Sequence, residues 1–239
     1  MQRKQVPIDE RIIFALDFDS PELAQEWVKR LESHIRFYKV GLQLFLAGWF
    51  NIVDWITARG HKVMVDLKFF DVPETVKLAV RQLRNRGVTF ATVHGNDPIL
   101  EAAGQAKGDV KILAVTVLTS FGQEDMIAMF GRPCNIEDLV YARAKRALEL
   151  NCDGVVSSGM EAERLRGSLG ENLLIVTPGI RPGENREIDD QKRIMTAGKA
   201  VACGADHIVV GRPISKAPDP IAVVESMRAD ILRALSETK

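Results

Sequence analysis

Short runs of Val, Ile and Leu alternate along the chain with stretches in which apolar residues return every three or four positions. The runs are Ile12–Leu16, Phe37–Val40, Lys62–Leu67, Thr89–His94, Lys111–Leu118, Gly154–Ser157, Leu173–Thr177 and His207–Val210. They recur roughly every 25 to 30 residues, and strand-length runs separated by helix-length amphipathic stretches predict parallel strands joined by crossover helices. Between the first two runs, Ser20-Pro21-Glu22 reads as an N-cap followed by proline at the first helical position. Leu23, Trp27 and Leu31 then form the expected apolar stripe. Gly60, Gly87 and Gly204 stand where helices should stop before the next strand. Eight such units fit an α/β fold of the (β/α)8 TIM-barrel type, with a doubly wound sheet as the structural alternative. No proline- or serine-rich linker interrupts the pattern, so residues 1–239 are expected to form a single domain.

A barrel of this type carries its active site at the C-terminal ends of the strands. Reading only the residues at or just after each predicted strand end gives Asp17, Lys39, Asp66 with Lys68, His94, Thr119, Ser157, Arg181, and Gly211 with Arg212. Nearly every strand thus delivers a polar or charged group to one rim, which a purely structural barrel would not need.

Composition narrows the function classes. Lys plus Arg and Asp plus Glu both number 32, so the chain has no net positive charge with which to grip a nucleic-acid backbone. An anionic ligand has to be held by a local site. The first residues lack the apolar core of a signal peptide, and no apolar run approaches the roughly 20 residues that span a bilayer. A cytoplasmic protein without membrane contact is expected. Cys134, Cys152 and Cys203 are far apart and form no CxxC pair, which predicts reduced thiols and neither a zinc site nor disulfides.

The densest chemistry is Val65-Asp66-Leu67-Lys68-Phe69-Phe70-Asp71-Val72-Pro73-Glu74-Thr75, at the end of the third run. Side chains alternate along a strand, so Asp66 and Lys68 should share a face while Leu67 takes the other. Charged groups in so apolar a strand are rare unless paired, and a surface salt bridge is the bland alternative. A Schiff-base lysine must be neutral to attack. A carboxylate neighbour instead favours the ammonium form of Lys68, which suits a proton donor. Lys39 adds a second cation at the neighbouring strand end, making an alternating Lys/Asp/Lys/Asp cluster with Asp71 plausible. A substrate carboxylate beside Asp66 would be repelled, and the carbanion left after loss of CO2 would sit beside Lys68. At the seventh and eighth strands, Thr177-Pro178-Gly179-Ile180-Arg181 and Val210-Gly211-Arg212 suggest a phosphate site, where glycine admits backbone N–H groups and arginine adds charge. The polar stretch from Arg181 to Gln191 is a candidate lid.

Taken together, Ala15-Leu16-Asp17, Lys39-Val40-Gly41, Asp66-x-Lys68-x-x-Asp71-x-x-x-Thr75, Leu118-Thr119-Ser120, Thr177-Pro178-Gly179-Ile180-Arg181 and Val210-Gly211-Arg212 resemble the bacterial orotidine 5'-phosphate decarboxylases. The similarity runs in order across nearly the whole chain. It implies a cofactor-free, metal-free decarboxylation of orotidine 5'-monophosphate to uridine monophosphate in pyrimidine biosynthesis. The same resemblance implies that Asp17 and Lys39 contact the ribose, that Lys39, Asp66, Lys68 and Asp71 form the charged tetrad, and that Lys68 is the proton donor. Thr119 would lie beside the pyrimidine, Arg181, Gln191, Gly211 and Arg212 belong to the lid and phosphate contacts, and Pro178 is a further substrate-binding residue. Asp71 and Thr75 would reach into the neighbouring subunit of a homodimer. The residues after His94, Gly95-Asn96-Asp97, depart from the family's small residues, so His94 is read equally as a packed core group. Two rivals remain: a magnesium-dependent sugar-phosphate decarboxylase or aldolase with Asp66 as metal ligand, and a catalytically silent nucleotide-binding barrel.

Overall fold

Each of the eight predicted runs forms a strand: β1 (Ile12–Ala15), β2 (Phe37–Gly41), β3 (Lys62–Phe69), β4 (Val88–His94), β5 (Lys111–Val115), β6 (Gly154–Val156), β7 (Leu174–Thr177) and β8 (His207–Val210). In the computed structural model, which describes residues 5–181 and 195–237, they pair in sequence order, all parallel, and β8 returns to β1. The architecture is therefore a closed (β/α)8 TIM barrel, and the doubly wound alternative is excluded by the β1–β8 pairing, with Ile13 opposite Val209.

Both faces of every strand are buried, which is why the runs read as almost continuous hydrophobic segments. One set of side chains, among them Ile13, Phe37, Met64, Phe90, Leu113, Leu174 and Val176, fills the barrel interior. The alternate set, such as Ile12, Phe14, Tyr38, Val40, Val63, Val65, Ala91 and Val93, packs outward under the helices. The connections behave as their sequences dictate. Ser20 Oγ accepts the Leu23 N–H at 3.3 Å with Pro21 in the first turn, and Gly60, Gly87 and Gly204 all take positive φ. The buried face of helix Pro21–Leu31 is Ala24, Val28 and Leu31, one step round from the expected stripe. Trp27 instead flanks it, stacked on Phe18 at 5.7 Å.

Two strand ends differ from expectation. β5 stops at Val115 rather than Leu118, because the Thr116 hydroxyl turns to the Val156 carbonyl at 3.2 Å and a Phe121 N–H to Leu118 O bond closes a turn. β3 runs on to Phe69, but not as a regular strand. Val65 pairs with Ala91 and Phe69 with Val93, so four steps along β3 lie beside two along β4, a bulge that breaks strict alternation.

The barrel floor is sealed by polar groups from distant parts of the chain. Glu10 pairs with Lys62 at 2.6 Å, Arg11 donates to the Asp206 carbonyl at 3.2 Å, and His207 meets the edges of Phe37 and Phe90. Burial pushes the His207 pKa down to about 4, so the neutral ring's Nδ1–H donates to the Glu10 carbonyl at 2.9 Å. The three cysteines are free thiols as expected, and burial raises that of Cys152 to about 12, leaving it protonated and unreactive. Among the described residues no helix is long and apolar enough to cross a membrane.

Candidate active site

The interior alternation places the chemistry. Two residues beyond the deep hydrophobes Phe37, Met64 and Phe90 on the same faces stand Lys39, Asp66 and Thr92. The barrel thus changes from apolar interior to polar rim within one step of the strand period. A cleft of about 250 Å³ opens there. Its lining includes Asp17, Lys39, Asp66, Lys68, Thr119, Pro178, Arg181, Gly211 and Arg212, so nine of the expected site residues are brought to one place from six strand ends. Val115, Val117, Leu118, Val156 and Val209 supply an apolar wall.

Lys39 is the centre of an ion chain. Its Nζ lies 2.8 Å from Asp17 Oδ1 and 3.7 Å from Asp66 Oδ2, and Lys68 Nζ lies 2.9 Å from Asp66 Oδ1. Burial alone would depress the Lys39 ammonium, but the Asp66 and Asp17 carboxylates outweigh it and hold its pKa above the ordinary lysine value. The same balance acts on Asp66 in mirror image. Burial would raise its pKa, yet Lys39, Lys68 and the Thr92 hydroxyl hold the carboxyl below the usual range. Both groups are therefore charged at neutral pH, deep in a site where unpaired ions would not persist. Among the described residues the cleft is lined by Lys39, Lys68, Arg181 and Arg212 against Asp17 and Asp66. An electrically neutral chain has concentrated a cationic excess at this one rim, which suits a ligand with more than one negative charge.

Asp66 and Lys68 meet as expected, by a different route. Strict alternation does not hold at the bulge. Lys68 has φ 48° and its N–H donates to Thr92 Oγ1 at 2.9 Å, and from that turned backbone the side chain comes back to Asp66.

Four expected residues lie elsewhere. Asp71 and Thr75 are exposed outside the cleft in the single chain, and Asp71 Oδ1 accepts the N–H of its neighbour Val72 at 2.7 Å. His94 does not line the cleft; its ring packs on Phe70 at 4.4 Å and its Nδ1 lies 2.8 Å from Asn96 Oδ1. Ser157 is fully buried with its Oγ 3.4 Å from Glu161 Oε2, turned away from the rim it was assigned to. Gln191 and most of the candidate lid lie outside the described residues. The described residues on either side of 182–194 are bonded to each other: Arg181 N–H donates to Met195 O at 3.0 Å and Met195 N–H to Gly179 O at 3.2 Å.

Two residues gain a role from geometry alone. Thr92 bridges the Lys68 backbone and Asp66, donating to Oδ1 at 2.9 Å. Gly41 pairs with Asp66 across β2 and β3, and a Cβ at that position would stand 2.9 Å from Lys39 Nζ and 3.2 Å from Asp17 Oδ1. A side chain there would oblige the Lys39 ammonium to shift.

Known proteins agree with this barrel. Residues 10–227 match the model of the Orotidine 5'-phosphate decarboxylase / HUMPS family, and the chain belongs to that family. A Methylococcus capsulatus protein named orotidine 5'-phosphate decarboxylase is 53% identical over 97% of this chain and 96% of its own. One of the same name from Rhodopseudomonas palustris is 45% identical over 94% and 96%. The crystal structure of orotidine 5'-phosphate decarboxylase from Lactobacillus acidophilus superimposes with a TM-score of 0.80 at 32% identity, over 93% of this chain and 99% of that one. The chain is accordingly an enzyme of the carboxy-lyase class.

Proposed function

We propose that the chain decarboxylates orotidine 5'-monophosphate to uridine monophosphate and CO2 in pyrimidine biosynthesis, as one catalytic domain without metal or cofactor. The observation that carries the reading is the Asp17–Lys39–Asp66–Lys68 ion chain, buried at its Lys39–Asp66 centre, in a cleft whose lining also includes Gly179, Arg181, Gly211 and Arg212. The arginine turns suit the phosphate, Asp17 and Lys39 the ribose, and Thr119 with Pro178 and the apolar wall the pyrimidine. Asp66 repels the substrate carboxylate. As the carbon–carboxylate bond breaks, its electron pair stays on the ring carbon, where the Lys68 ammonium faces it and delivers the proton. Solvent then returns a proton to Lys68. Asp71 sits between Phe70 and Val72, which are 67% and 63% exposed. A carboxylate flanked by two exposed apolar side chains suits burial against a second copy, and we read the enzyme as a cytoplasmic homodimer in which Asp71 and Thr75 complete the partner's site.

The metal-dependent rival places a divalent cation at Asp66. That carboxylate already has Lys68 and Lys39 ammonium groups at 2.9 Å and 3.7 Å, which would compete with any divalent ion. Purified protein treated with excess EDTA should convert orotidine 5'-monophosphate at its full rate, followed as loss of the substrate's ultraviolet absorbance. Activity restored only by magnesium would move the assignment to the sugar-phosphate enzymes, and tight uridine monophosphate binding without CO2 release would leave a silent binding barrel. Gly41→Ala offers a finer check. The added methyl displaces the Lys39 ammonium, and kcat/KM should fall by about tenfold or more while the thermal midpoint moves by only about 2 °C. Unchanged kinetics would remove Lys39 from the machinery.

A further inference from the structure

Thr92 is fully buried in β4 and is not among the residues that line the cleft, yet it touches both members of the acid–ammonium pair. Its hydroxyl accepts the Lys68 backbone N–H at 2.9 Å and lies 2.9 Å from Asp66 Oδ1. A hydroxyl has one proton and an amide N–H can only donate. The proton of Thr92 is therefore committed to Asp66. Lys68 Nζ reaches that same oxygen at 2.9 Å, which closes a ring of three hydrogen bonds: Lys68 amide to Thr92, Thr92 hydroxyl to Asp66, Lys68 ammonium to Asp66. Bonds linked in this way polarise one another in a low-dielectric interior.

The ring sits where β3 has left the regular ladder. Four steps of β3 face two of β4, and Lys68 takes φ 48°, a conformation that side-chain-bearing residues rarely adopt. The Lys68 N–H finds its acceptor in a side chain instead of a strand carbonyl. A lysine on such a bulge carries four rotatable side-chain bonds, and its side chain is about one-third exposed, at 36%. Backbone and ammonium must both be tied if the proton is to be delivered to one carbon.

We propose that Thr92 is a positioning residue for decarboxylation, its hydroxyl fixing at once the backbone of Lys68 and the carboxylate that aims the Lys68 ammonium. The inference rests on Lys68 being the proton donor. It differs from a packing role in one respect: valine fills nearly the same volume but can neither accept from Lys68 nor donate to Asp66, whereas serine does both with less bulk.

The test compares Thr92→Val, Thr92→Ser and Lys68→Ala with the wild type on orotidine 5'-monophosphate, together with the affinity of each for uridine monophosphate. Thr92→Val should lower kcat by about 10- to 100-fold, with KM and product affinity changed by less than about threefold, because the reacting group and not the phosphate end is misplaced. The acidic limb of its kcat profile should move to higher pH, since Asp66 loses a donor that favours its ionised form. Thr92→Ser should recover kcat to within about threefold of the wild type. Thr92→Cys, with a thiol in place of the hydroxyl, carries the same comparison should Thr92→Val fail to fold. A folded Thr92→Val with unchanged kcat and pH profile beside an inactive Lys68→Ala would overturn the positioning role alone. Equal losses in the valine and serine variants would also overturn it, reducing Thr92 to packing. An active Lys68→Ala would overturn the donor reading and this inference with it.

Discussion

Replacing Lys68 by alanine should lower kcat by about 10⁴-fold, the upper end of what a general acid contributes, because in the proposed reaction the same ammonium also faces the carbanion as charge develops on it. Uridine monophosphate should still bind, within about tenfold of the wild type, if the arginine and glycine turns at β7 and β8 hold the other end of the ligand as proposed. The loss is more than that of one proton. With Lys68 gone, Asp66 Oδ1 keeps only the Thr92 hydroxyl at 2.9 Å, and Lys39 stands 3.7 Å from Oδ2. A carboxylate that had two ammonium partners then has one, and its pKa rises toward the ordinary range. The pH profile of the residual activity should shift accordingly. Turnover above about one-tenth of the wild type would assign the proton to another group and leave Lys68 as a charge-balancing residue.

Mixing inactive subunits should restore activity if the site is shared between two chains. Lys68→Ala damages the site of its own barrel, while Asp71→Ala damages the site of the partner. In a hybrid of the two, both lesions fall in one site and the other is intact. Random reassortment of equal amounts should therefore recover about a quarter of the wild-type activity from two preparations that are separately almost inactive, as two-fold symmetry of the dimer requires. The exposed position of Asp71, between Phe70 and Val72, motivates the experiment. No recovery from subunits shown to exchange would place Asp71 in its own barrel's chemistry or in none.

The strands and most of the rim were legible because two signals reinforce each other. Apolar runs at strand length mark the barrel, and a charged residue two positions beyond a deep hydrophobe marks its mouth, as with Phe37 and Lys39 or Met64 and Asp66. Thr92 follows Phe90 by the same rule but carries no charge, and threonine is common in strands for reasons of shape. Its sequence context could not distinguish it. The turn at Lys68 was hidden for another reason. Alternation assumes a regular ladder, and the extra residues of β3 are visible only once β4 is laid beside it. Gly41 was readable as part of a motif, but what a side chain there would disturb is a lysine ammonium that only the fold brings back over it. At β5 the apolar run overshot the strand, since Val117 and Leu118 are apolar for the cleft wall and not for the ladder. Ser157 and His94 satisfy the rim rule by position, yet pack against Glu161 and Phe70 instead.

The pairing of β1 with β8 also sets a timetable for the chain's birth. On the edge of β1 away from β2, residues 12 to 14 find their partners in residues 208 to 210, and Arg11 waits for Asp206, 195 positions away. At about 5 to 20 residues per second, synthesis takes roughly 10 to 40 s to reach that point. Until then the nascent sheet has an open edge along β1 and no sealed floor, and the charged rim has no seventh or eighth turn. Closure, the arginine end of the cleft and protection of the first strand arrive together, with the final quarter of the chain.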